Sequence, residues 1–420
     1  MVGFSGTTVP DSLKVDLISR GLGGVILYAG NVQNPSQIKQ LTKQLQSNSQ
    51  STLLIAIDQE GGQVARLSQN NGYVKTKTAY NLGTVINILD TTSYWVAKMA
   101  QWLYDGGINI NFAPVVDVDV NPNSPAIGAL ERSFSSNPAN VYNHAQKFID
   151  EFSKKKIAVT LKHFPGHGSA MQDSHLGFTD ITNTWADSEL VPYRKLFQNN
   201  YSGLVMVGHL FNAHIDPLYP ASLSNNTVTG LLRNQLGFQG VTITDALEMN
   251  AISDNYSFDK TVELAVNAGE DILLFTTNIL NNRSLLDSVV NIIFNKINSG
   301  IIAQSTIDDA YNRITFLKQG LINSVSETAG SQIVKGYAIS NYPNPFNPET
   351  DIVVDIPAES NISVNVYNIT GQLVRTIFNG SLSSGRHSFV FTGRGLPSGI
   401  YLVSMNTGNN MVNRKIVLLK

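Results

Sequence analysis

The sequence has 420 residues, of which 42% are hydrophobic and 14% are charged, with a formal net charge of −2 and no cysteine. The length suits two or three domains with a sizeable buried core, and the composition excludes wholesale disorder. The lack of cysteine excludes disulfides, thiol nucleophiles and thiolate metal sites. The small net charge does not favour nucleic-acid binding, and no apolar run is long enough to span a bilayer.

The first residues, MVGFSGTTVPDSL, are typical of a strand that is followed directly by a turn. They lack the basic region and the apolar run of a signal peptide. We therefore expect the natural product to be longer at this end.

Eight buried strands are predicted before about residue 320, and helical stretches lie between most of them, most clearly at residues 141–155 and 260–270. Most of the strands are continuous apolar runs, the pattern of strands covered on both faces. Such alternation favours a (β/α)8 barrel. The rival, an open doubly wound sheet, would normally carry a glycine-rich phosphate loop, and none is found. The predicted strands are Val2–Phe4, Gly24–Tyr28, Leu53–Asp58, Asn109–Val116, Val159–His163, Gly203–Gly208, Gly240–Thr244 and Ile272–Phe275.

Ionisable side chains follow five of these strands at the point where each strand ends. In a barrel the C-terminal ends of all strands meet at one mouth, where enzymes of this architecture carry out their chemistry. A single such residue is commonly a cap or part of a loop ion pair, but five strands ending in this way are hard to explain by packing. The residues are Asp58, Asp117, Lys162 with His163, His209 and Asp245.

Two further charged motifs lie close to this predicted mouth. The segment IDQEGG places Glu60 two residues after Asp58, with Arg66 beyond it. Charged groups here can hold sugar hydroxyls in paired hydrogen bonds, although Glu60 and Arg66 could equally pair with each other. Arg132 lies in the segment ERSF, after the long loop that follows Asp117, and is a weak signal on its own.

The sharpest motif is KHFPGHG at residues 162–168, followed by DSH. A strand ends at His163, and the Pro-Gly turn opens a loop that presents Asp173 two residues before His175. A carboxylate beside an imidazole fixes its tautomer and raises its basicity, so this pair can act as a general acid and then as a general base. The alternatives are an ordinary polar surface loop and a zinc site that adds His163 and His167.

The segment VTITDALEM ends a predicted strand at Asp245. An aspartate at a barrel strand end can attack an anomeric carbon, and retaining glycosidases need such a carboxylate opposite an acid/base. Aspartate is also favoured as a helix N-cap, and Glu248, three residues on, would complete a capping box. The motif alone leaves both interpretations open.

After about residue 340 the pattern changes to apolar–polar alternation, as in DIVVDI, ISVNVYN, HSFVF and IYLVSMN. Turn dipeptides such as Thr370–Gly371 and Ser384–Gly385 separate these runs. The pattern predicts a small antiparallel β-sandwich, and it contains no cluster of acid, base or metal-ligand residues. We therefore divide the chain into a catalytic barrel over residues 1–322, a small polar linker over 323–339 and an all-β domain over 340–420.

The motifs around the predicted mouth, in this order, resemble glycoside hydrolase family 3, and most closely its β-N-acetylglucosaminidase branch, for which KHFPGHG followed by DSH is the hallmark. The resemblance covers residues 1 to about 320 and implies a (β/α)8 barrel, in agreement with the strand pattern. By motif position it implies that Asp245 is the catalytic nucleophile, His175 the acid/base, and Asp173 the partner of His175 in a dyad. The sugar-binding positions that it implies are Asp58, Arg66, Arg132, Lys162 and His163.

Two features depart from this family. The usual helix before the first strand is missing, and Thr244 stands where the family often has serine, so that a hydroxyl is retained. The β-glucosidase branch of the family usually takes its acid/base from a second α/β domain. No such domain follows the barrel here, which fits an acid/base carried on a barrel loop.

The C-terminal part resembles the sorting domain of proteins exported by the type IX secretion system. The matching segments are YPNPFNP, which begins at Tyr342, then VYNITG, LPSGIY and the final KIVLLK. The resemblance implies a secreted or cell-surface protein whose partner is that secretion machinery. A carbohydrate-binding β-sandwich is the alternative, but no cluster of exposed aromatic residues supports it.

Together these features predict a retaining exo-β-N-acetylhexosaminidase that acts without a cofactor or metal and removes terminal β-linked N-acetylglucosamine. A phosphorylase on the same barrel stays open, because a histidine acid/base repels phosphate less than a glutamate would. A β-glucosidase is a further alternative. The alternative from another class is a non-catalytic glycan-binding surface protein, which would be expected to lose Asp245 or His175; both are present.

Overall fold

The structure, a computed structural model, describes residues 1–174, 177–325, 336–408 and 411–419. The chain divides into two compact units, Met1–Ser324 and Val325–Lys420. Much of the predicted linker, residues 326–335, lies outside the described ranges. Within these ranges, no helix has both the length and the apolar character needed to cross a membrane.

The first unit contains a curled sheet of six parallel strands, which pair in the order in which they occur along the chain. Parallel neighbours need a crossover connection, and a helix follows each strand here. The strands are β1 Gly24–Leu27, β2 Leu54–Ile57, β3 Ile110–Asn111, β4 Ala158–Phe164, β5 Leu204–Val207 and β6 Val241–Thr244.

Two shorter segments close this sheet into a ring: a first segment around Val2 and an eighth segment at residues 272–275. Val2 bridges both Val25 and Phe275, and Ile272 bridges Ile243 on β6. The Gly3 N–H donates to the Phe275 carbonyl (2.8 Å), and the Phe275 N–H donates to the Met1 carbonyl (3.0 Å). The ring therefore has eight members, the number and order predicted from the apolar runs, and the predicted (β/α)8 fold class is confirmed.

The helices between the strands begin and end where the sequence supplies caps. The predicted helix at residues 260–270 is observed as Phe258–Ala268. The Ser257 side chain accepts from the Lys260 N–H at its start, and Gly269 ends it with a φ of 104°. Between β5 and β6 the connecting helix, Asn226–Gln235, is of the π type. The α-helices are α1 Asp11–Ser19, α2 Pro35–Asn48, α3 Leu89–Asp105, α4 Pro138–Ser153, α5 Val191–Gln198, α6 Asn250–Ser253, α7 Phe258–Ala268, α8 Leu285–Asn298 and α9 Gln304–Val325.

Alternate residues of the strands pack on the two sides of the ring. One set packs with the helices, for example Val25, Ile55 and Val205. The other set fills the interior of the ring, and α9 contributes Leu321 to it. Each fully buried aliphatic side chain stabilises the fold by about 1.5–3 kcal/mol, so both sets fix the strand register. The interior set on the strands is Ile26, Leu54, Ala56, Ile110, Phe112, Leu204, Met206, Val241, Ile243, Ile272 and Leu274.

The second unit consists of two antiparallel sheets that enclose one core, as the alternating pattern predicts. Gly371, with a φ of 80°, makes the predicted turn between two of its strands. The strand orders are β7-β8-β11 and β10-β9-β12-β13. The strands are β7 Ala338–Tyr342, β8 Glu349–Ile356, β9 Ser360–Asn368, β10 Leu373–Leu382, β11 Gly385–Thr392, β12 Gly399–Asn406 and β13 Met411–Leu418.

Candidate active site

Several polar side chains continue the interior alternation of the ring beyond the apolar residues. Side chains alternate along a strand, so the alternate position that follows the last apolar one faces the mouth of the barrel. Asp58 has this position after β2, Lys162 has it within β4, and Asp245 has it after β6. Tyr28 has it after β1, although no charge or motif marks it in the sequence. The fold therefore turns residues distant in sequence toward one mouth.

A network of paired charges lies at this mouth. The Lys162 Nζ atom is 2.8 Å from Asp58 Oδ1 and 2.7 Å from Glu60 Oε1. Arg66 Nη2 donates to Asp58 Oδ2 (3.1 Å), and Arg132 donates to both oxygens of Glu60 at 2.9 and 2.8 Å. The suggested pairing of Glu60 with Arg66 is therefore wrong. Arg66 reaches Asp58 because both flank the short strand pair Gln59–Gly61 and Val64–Ala65.

The cations of this network keep its carboxylates ionised despite their burial. Burial acts to raise the pKa of Glu60, but Arg132 and Lys162 hold it at about 2. Burial also acts to raise the pKa of Asp58, and Lys162 and Arg66 bring it below its usual value. Two carboxylates and three cations leave one excess positive charge. Asp58 is the more exposed carboxylate, with 15% of its side chain accessible against 5% for Glu60. Asp58 is thus the one open to a ligand.

Asp117 lies beneath the mouth and orients the first histidine of KHFPGHG. It is fully buried, and its Oδ2 is 2.7 Å from His163 Nδ1. Its Oδ1 accepts from the backbone N–H groups of His163 (3.0 Å) and His167 (2.8 Å). A buried carboxylate at Nδ1 selects the tautomer that carries the proton there. The other ring nitrogen, Nε2, lies 3.4 Å from Arg132 Nη2. Asp117 therefore positions His163 and does not itself reach the mouth, contrary to the expectation from its strand-end place.

Glu189 supports the same loop and was not anticipated from the sequence. It is fully buried just before α5, and its Oε2 accepts from the Gly168 N–H at 3.0 Å. Burial raises the pKa of Glu189 to about 7. The loop passes so close that a Cβ on Gly168 would lie 1.7 Å from the Val118 carbonyl oxygen, which only glycine avoids. Nothing in the local pattern marks Glu189, because the contact joins residues 21 positions apart.

The rest of the KHFPGHG–DSH loop is described only up to residue 174. His167 is buried, with Nε2 3.2 Å from Ser174 Oγ, and burial lowers its pKa to about 4, so it is neutral near pH 7. Asp173 is half-buried in this loop. His175 lies outside the described residues, so its pairing with Asp173 stays a prediction, as does the alternative zinc site that includes it.

Asp245 is anchored through its backbone at the end of β6. Its N–H donates to the Val207 carbonyl (2.9 Å), and its Oδ1 accepts from the Ala246 N–H (2.8 Å). The helix-cap interpretation is wrong, because the next helix, α6, has Met249 at its N-cap. Glu248 does not complete a capping box either. Its carboxylate accepts from the Thr276 N–H at 2.9 and 3.1 Å, which ties the loop after β6 to the eighth segment.

His209, at the end of the sixth predicted strand, contacts other protein groups through both of its ring nitrogens. It is fully buried, with Nδ1 2.7 Å from Ser222 Oγ and Nε2 2.8 Å from the Ala246 carbonyl oxygen. Both ring nitrogens are therefore engaged within the protein. The contact with Ala246 supports the backbone beside Asp245.

Known proteins are similar to this chain in both fold and sequence. Residues 2–317 match the glycosyl hydrolase family 3 N-terminal domain, and residues 340–419 match the secretion system C-terminal sorting domain. The chain is 35% identical to beta-hexosaminidase A from Pseudoalteromonas piscicida over 77% of its own length and 57% of that protein. It is 34% identical to a beta-hexosaminidase from Tolumonas auensis over 64% of its length and 80% of that protein.

Solved structures agree with these relatives. A family 3 beta-N-acetylglucosaminidase from Paenibacillus sp. str. FPU-7 aligns with a TM-score of 0.71 at 31% identity, over 80% of this chain and 63% of that one. A beta-N-acetylhexosaminidase from Beutenbergia cavernae aligns with a TM-score of 0.69 at 27% identity, over 76% of this chain and 96% of that one. The match to the family 3 N-terminal domain covers residues 2–317, which is most of the barrel unit, and this match decides the assignment. The chain therefore belongs to glycoside hydrolase family 3, and it carries a secretion-system sorting domain at its C-terminal end.

Proposed function

We propose that this protein is a retaining exo-β-N-acetylhexosaminidase that removes terminal β-linked N-acetylglucosamine. The observation that carries the proposal is the mouth itself, where Asp245 shares the interior alternation with Asp58 and Lys162. The names of the relatives support the substrate class. In this proposal Asp245 supplies the attacking carboxylate, and the network of paired charges at the same mouth holds the sugar.

The reaction proceeds in two displacements. In the first, an Asp245 oxygen bonds to the anomeric carbon while the bond from that carbon to the leaving oxygen breaks, and His175 supplies the proton that the leaving group takes. In the second, His175 removes a proton from water, the water oxygen bonds to the anomeric carbon, and Asp245 is released. Asp173 holds His175 in the tautomer that each step requires.

The sugar is held by Asp58, Arg132, Lys162 and His163, with Arg66 at the edge. Asp58 offers its carboxylate as an acceptor for hydroxyl groups, and the cations offer donors. The pairs that these groups already make with one another fix their positions before the sugar arrives. Such preorganisation avoids the cost of ordering long side chains on binding.

One assay on the purified chain tests this proposal. Aryl β-N-acetylglucosaminide should be hydrolysed much faster than aryl β-glucoside, and added phosphate should leave the product unchanged. Proton NMR of the first product should show the β-anomer. A glycosyl phosphate as the product would indicate the phosphorylase, and preference for the glucoside would indicate the β-glucosidase. Absence of turnover with tight N-acetylglucosamine binding would indicate the glycan-binding protein.

We also infer that the sorting domain directs the protein to the type IX secretion machinery, and so to the cell surface or the medium. Its sandwich buries its own core, and no named site residue lies within it. In a bacterium with this system, a precursor that lacks residues 340–420 should remain inside the cell. The same truncated chain, assayed after purification, should retain its kcat/KM. Equal export of both forms would contradict the inference.

A further inference from the structure

Tyr28 stands at the mouth beside Asp58, on the neighbouring strand. The paired residues Leu27 and Ile57 end β1 and β2, so Tyr28 and Asp58 follow at the same level of the ring. The Tyr28 ring packs against the interior cluster. Its backbone is fixed by Asn31, whose Oδ1 accepts from the Tyr28 N–H at 2.8 Å. Tyr28 therefore has a defined position.

The ring of Tyr28 covers a sector of the mouth that has no side chain of its own. The first segment of the barrel contributes Gly3 there, and a Cβ on Gly3 would lie 2.9 Å from Tyr28 Cε2 and 2.3 Å from the Thr276 carbonyl oxygen. Any larger residue at position 3 would displace the tyrosine or the backbone at Thr276. The glycine thus lets the ring lie toward the eighth segment.

The hydroxyl of Tyr28 is a neutral hydrogen-bond donor. Burial raises the pKa of Tyr28, and the negative charges of Asp58, Asp245 and Glu248 raise it further. Within the part of the chain that the structure describes, no side chain or carbonyl accepts a hydrogen bond from this hydroxyl. Tyr28 is only partly buried, so this hydroxyl is accessible from the mouth. It can therefore donate a hydrogen bond to a ligand that enters the mouth.

Asp58 and Asp245 divide the ring of strand ends into two arcs. One arc holds Lys162 and His163. In the other, the Thr276 N–H is already bonded to Glu248 and Gly3 has no side chain, and Tyr28 offers a hydroxyl donor on this arc. A sugar that reaches from Asp58 to Asp245 has one edge on each arc. Its second edge lies on the arc that carries Tyr28.

We propose that Tyr28 is a further substrate-binding residue, whose hydroxyl donates a hydrogen bond to the edge of the sugar opposite Lys162 and His163. This inference rests on the proposed glycosidase function for its substrate. It makes recognition two-sided, with a charged network on one edge and a neutral phenol on the other.

The test is Tyr28→Phe, which removes the hydroxyl and keeps the ring. With aryl β-N-acetylglucosaminide, kcat/KM should fall by about tenfold or more, since a lost hydrogen bond within a charged site has effects of this size. Calorimetry should show weaker binding of N-acetylglucosamine by a similar factor, and the unfolding temperature should stay the same. The matched control is Tyr311→Phe on α9, where the residue is 68% exposed. This change should alter neither kcat/KM nor the binding of N-acetylglucosamine.

Unchanged kcat/KM and unchanged N-acetylglucosamine binding in Tyr28→Phe would overturn the inference while the glycosidase proposal stands. If the unmodified protein failed to cleave the glycoside, the proposed activity would fall. The calorimetric comparison would then still decide whether Tyr28 contacts the sugar, since binding does not require turnover.

Discussion

Replacing Asp245 by alanine is expected to lower turnover by about 10⁴-fold or more, because the covalent route needs a carboxylate at the anomeric carbon. The barrel should stay folded. Asp245 is only half-buried, and its backbone hydrogen bond to Val207 does not depend on the side chain. The measurement is the hydrolysis of aryl β-N-acetylglucosaminide, together with thermal unfolding of both proteins.

Added azide makes this test specific for the nucleophile. The anion can occupy the space left by the Asp245 carboxylate and attack from the same face, so the variant should form the α-glycosyl azide from a substrate with an activated leaving group. Asp254→Ala, at an exposed aspartate that follows α6, is the control and should behave as the unmodified protein. Formation of the β-azide, or full activity of the Asp245 variant, would contradict the assigned role.

Replacing Lys162 by methionine is expected to lower the free energy of unfolding by about 3–5 kcal/mol, the usual result of removing one partner from a buried ion pair. Lys162 is 3% exposed and is shared between Asp58 and Glu60. Activity should fall as well, because the two carboxylates would then repel each other at the proposed sugar-binding edge. Denaturant unfolding followed by circular dichroism measures the stability change.

The stability loss in Lys162→Met should depend on pH. In the unmodified protein, Lys162 lowers the pKa of both Asp58 and Glu60. Its contribution is therefore present above the unfolded pKa values of these groups and is lost as the pH falls through the lower folded values. The difference between the two proteins should be larger at pH 7.5 than at pH 4. The matched control is Lys154→Met, at an exposed pair with Glu151, which should change stability by less than about 1 kcal/mol at either pH. A pH-independent loss would show that packing, not charge, explains it.

The fold was predictable because each barrel strand is a short apolar run that ends at a polar residue. The runs around Ile55, Val205 and Ile243 are buried on both faces, so the burial leaves a continuous signal in the sequence. Strand extents were harder to predict. The predicted run Asn109–Val116 is a strand only over Ile110–Asn111, because Pro114 in this run has no N–H to donate to a neighbour.

The site was only partly predictable, because strand ends identify where a residue lies but not what it contacts. Asp58 and Lys162 lie at the mouth. Asp117 also lies at a predicted strand end, but it is buried beneath the mouth. Tyr28 and Glu189 were missed for a related reason. A tyrosine at a strand end looks like ordinary core, and the bond from Glu189 to Gly168 arises only from the folded loop.

The closure of the ring between its first and eighth segments has a consequence for how the protein folds. The Gly3 N–H donates to the Phe275 carbonyl, 272 positions away along the chain. Contacts of such separation slow folding, since a long loop must close before they form. Until that happens, the first and eighth segments remain open edges with unpaired backbone groups, which favour pairing between chains. We therefore expect a slow final folding phase and a tendency to aggregate when refolding is attempted at high protein concentration.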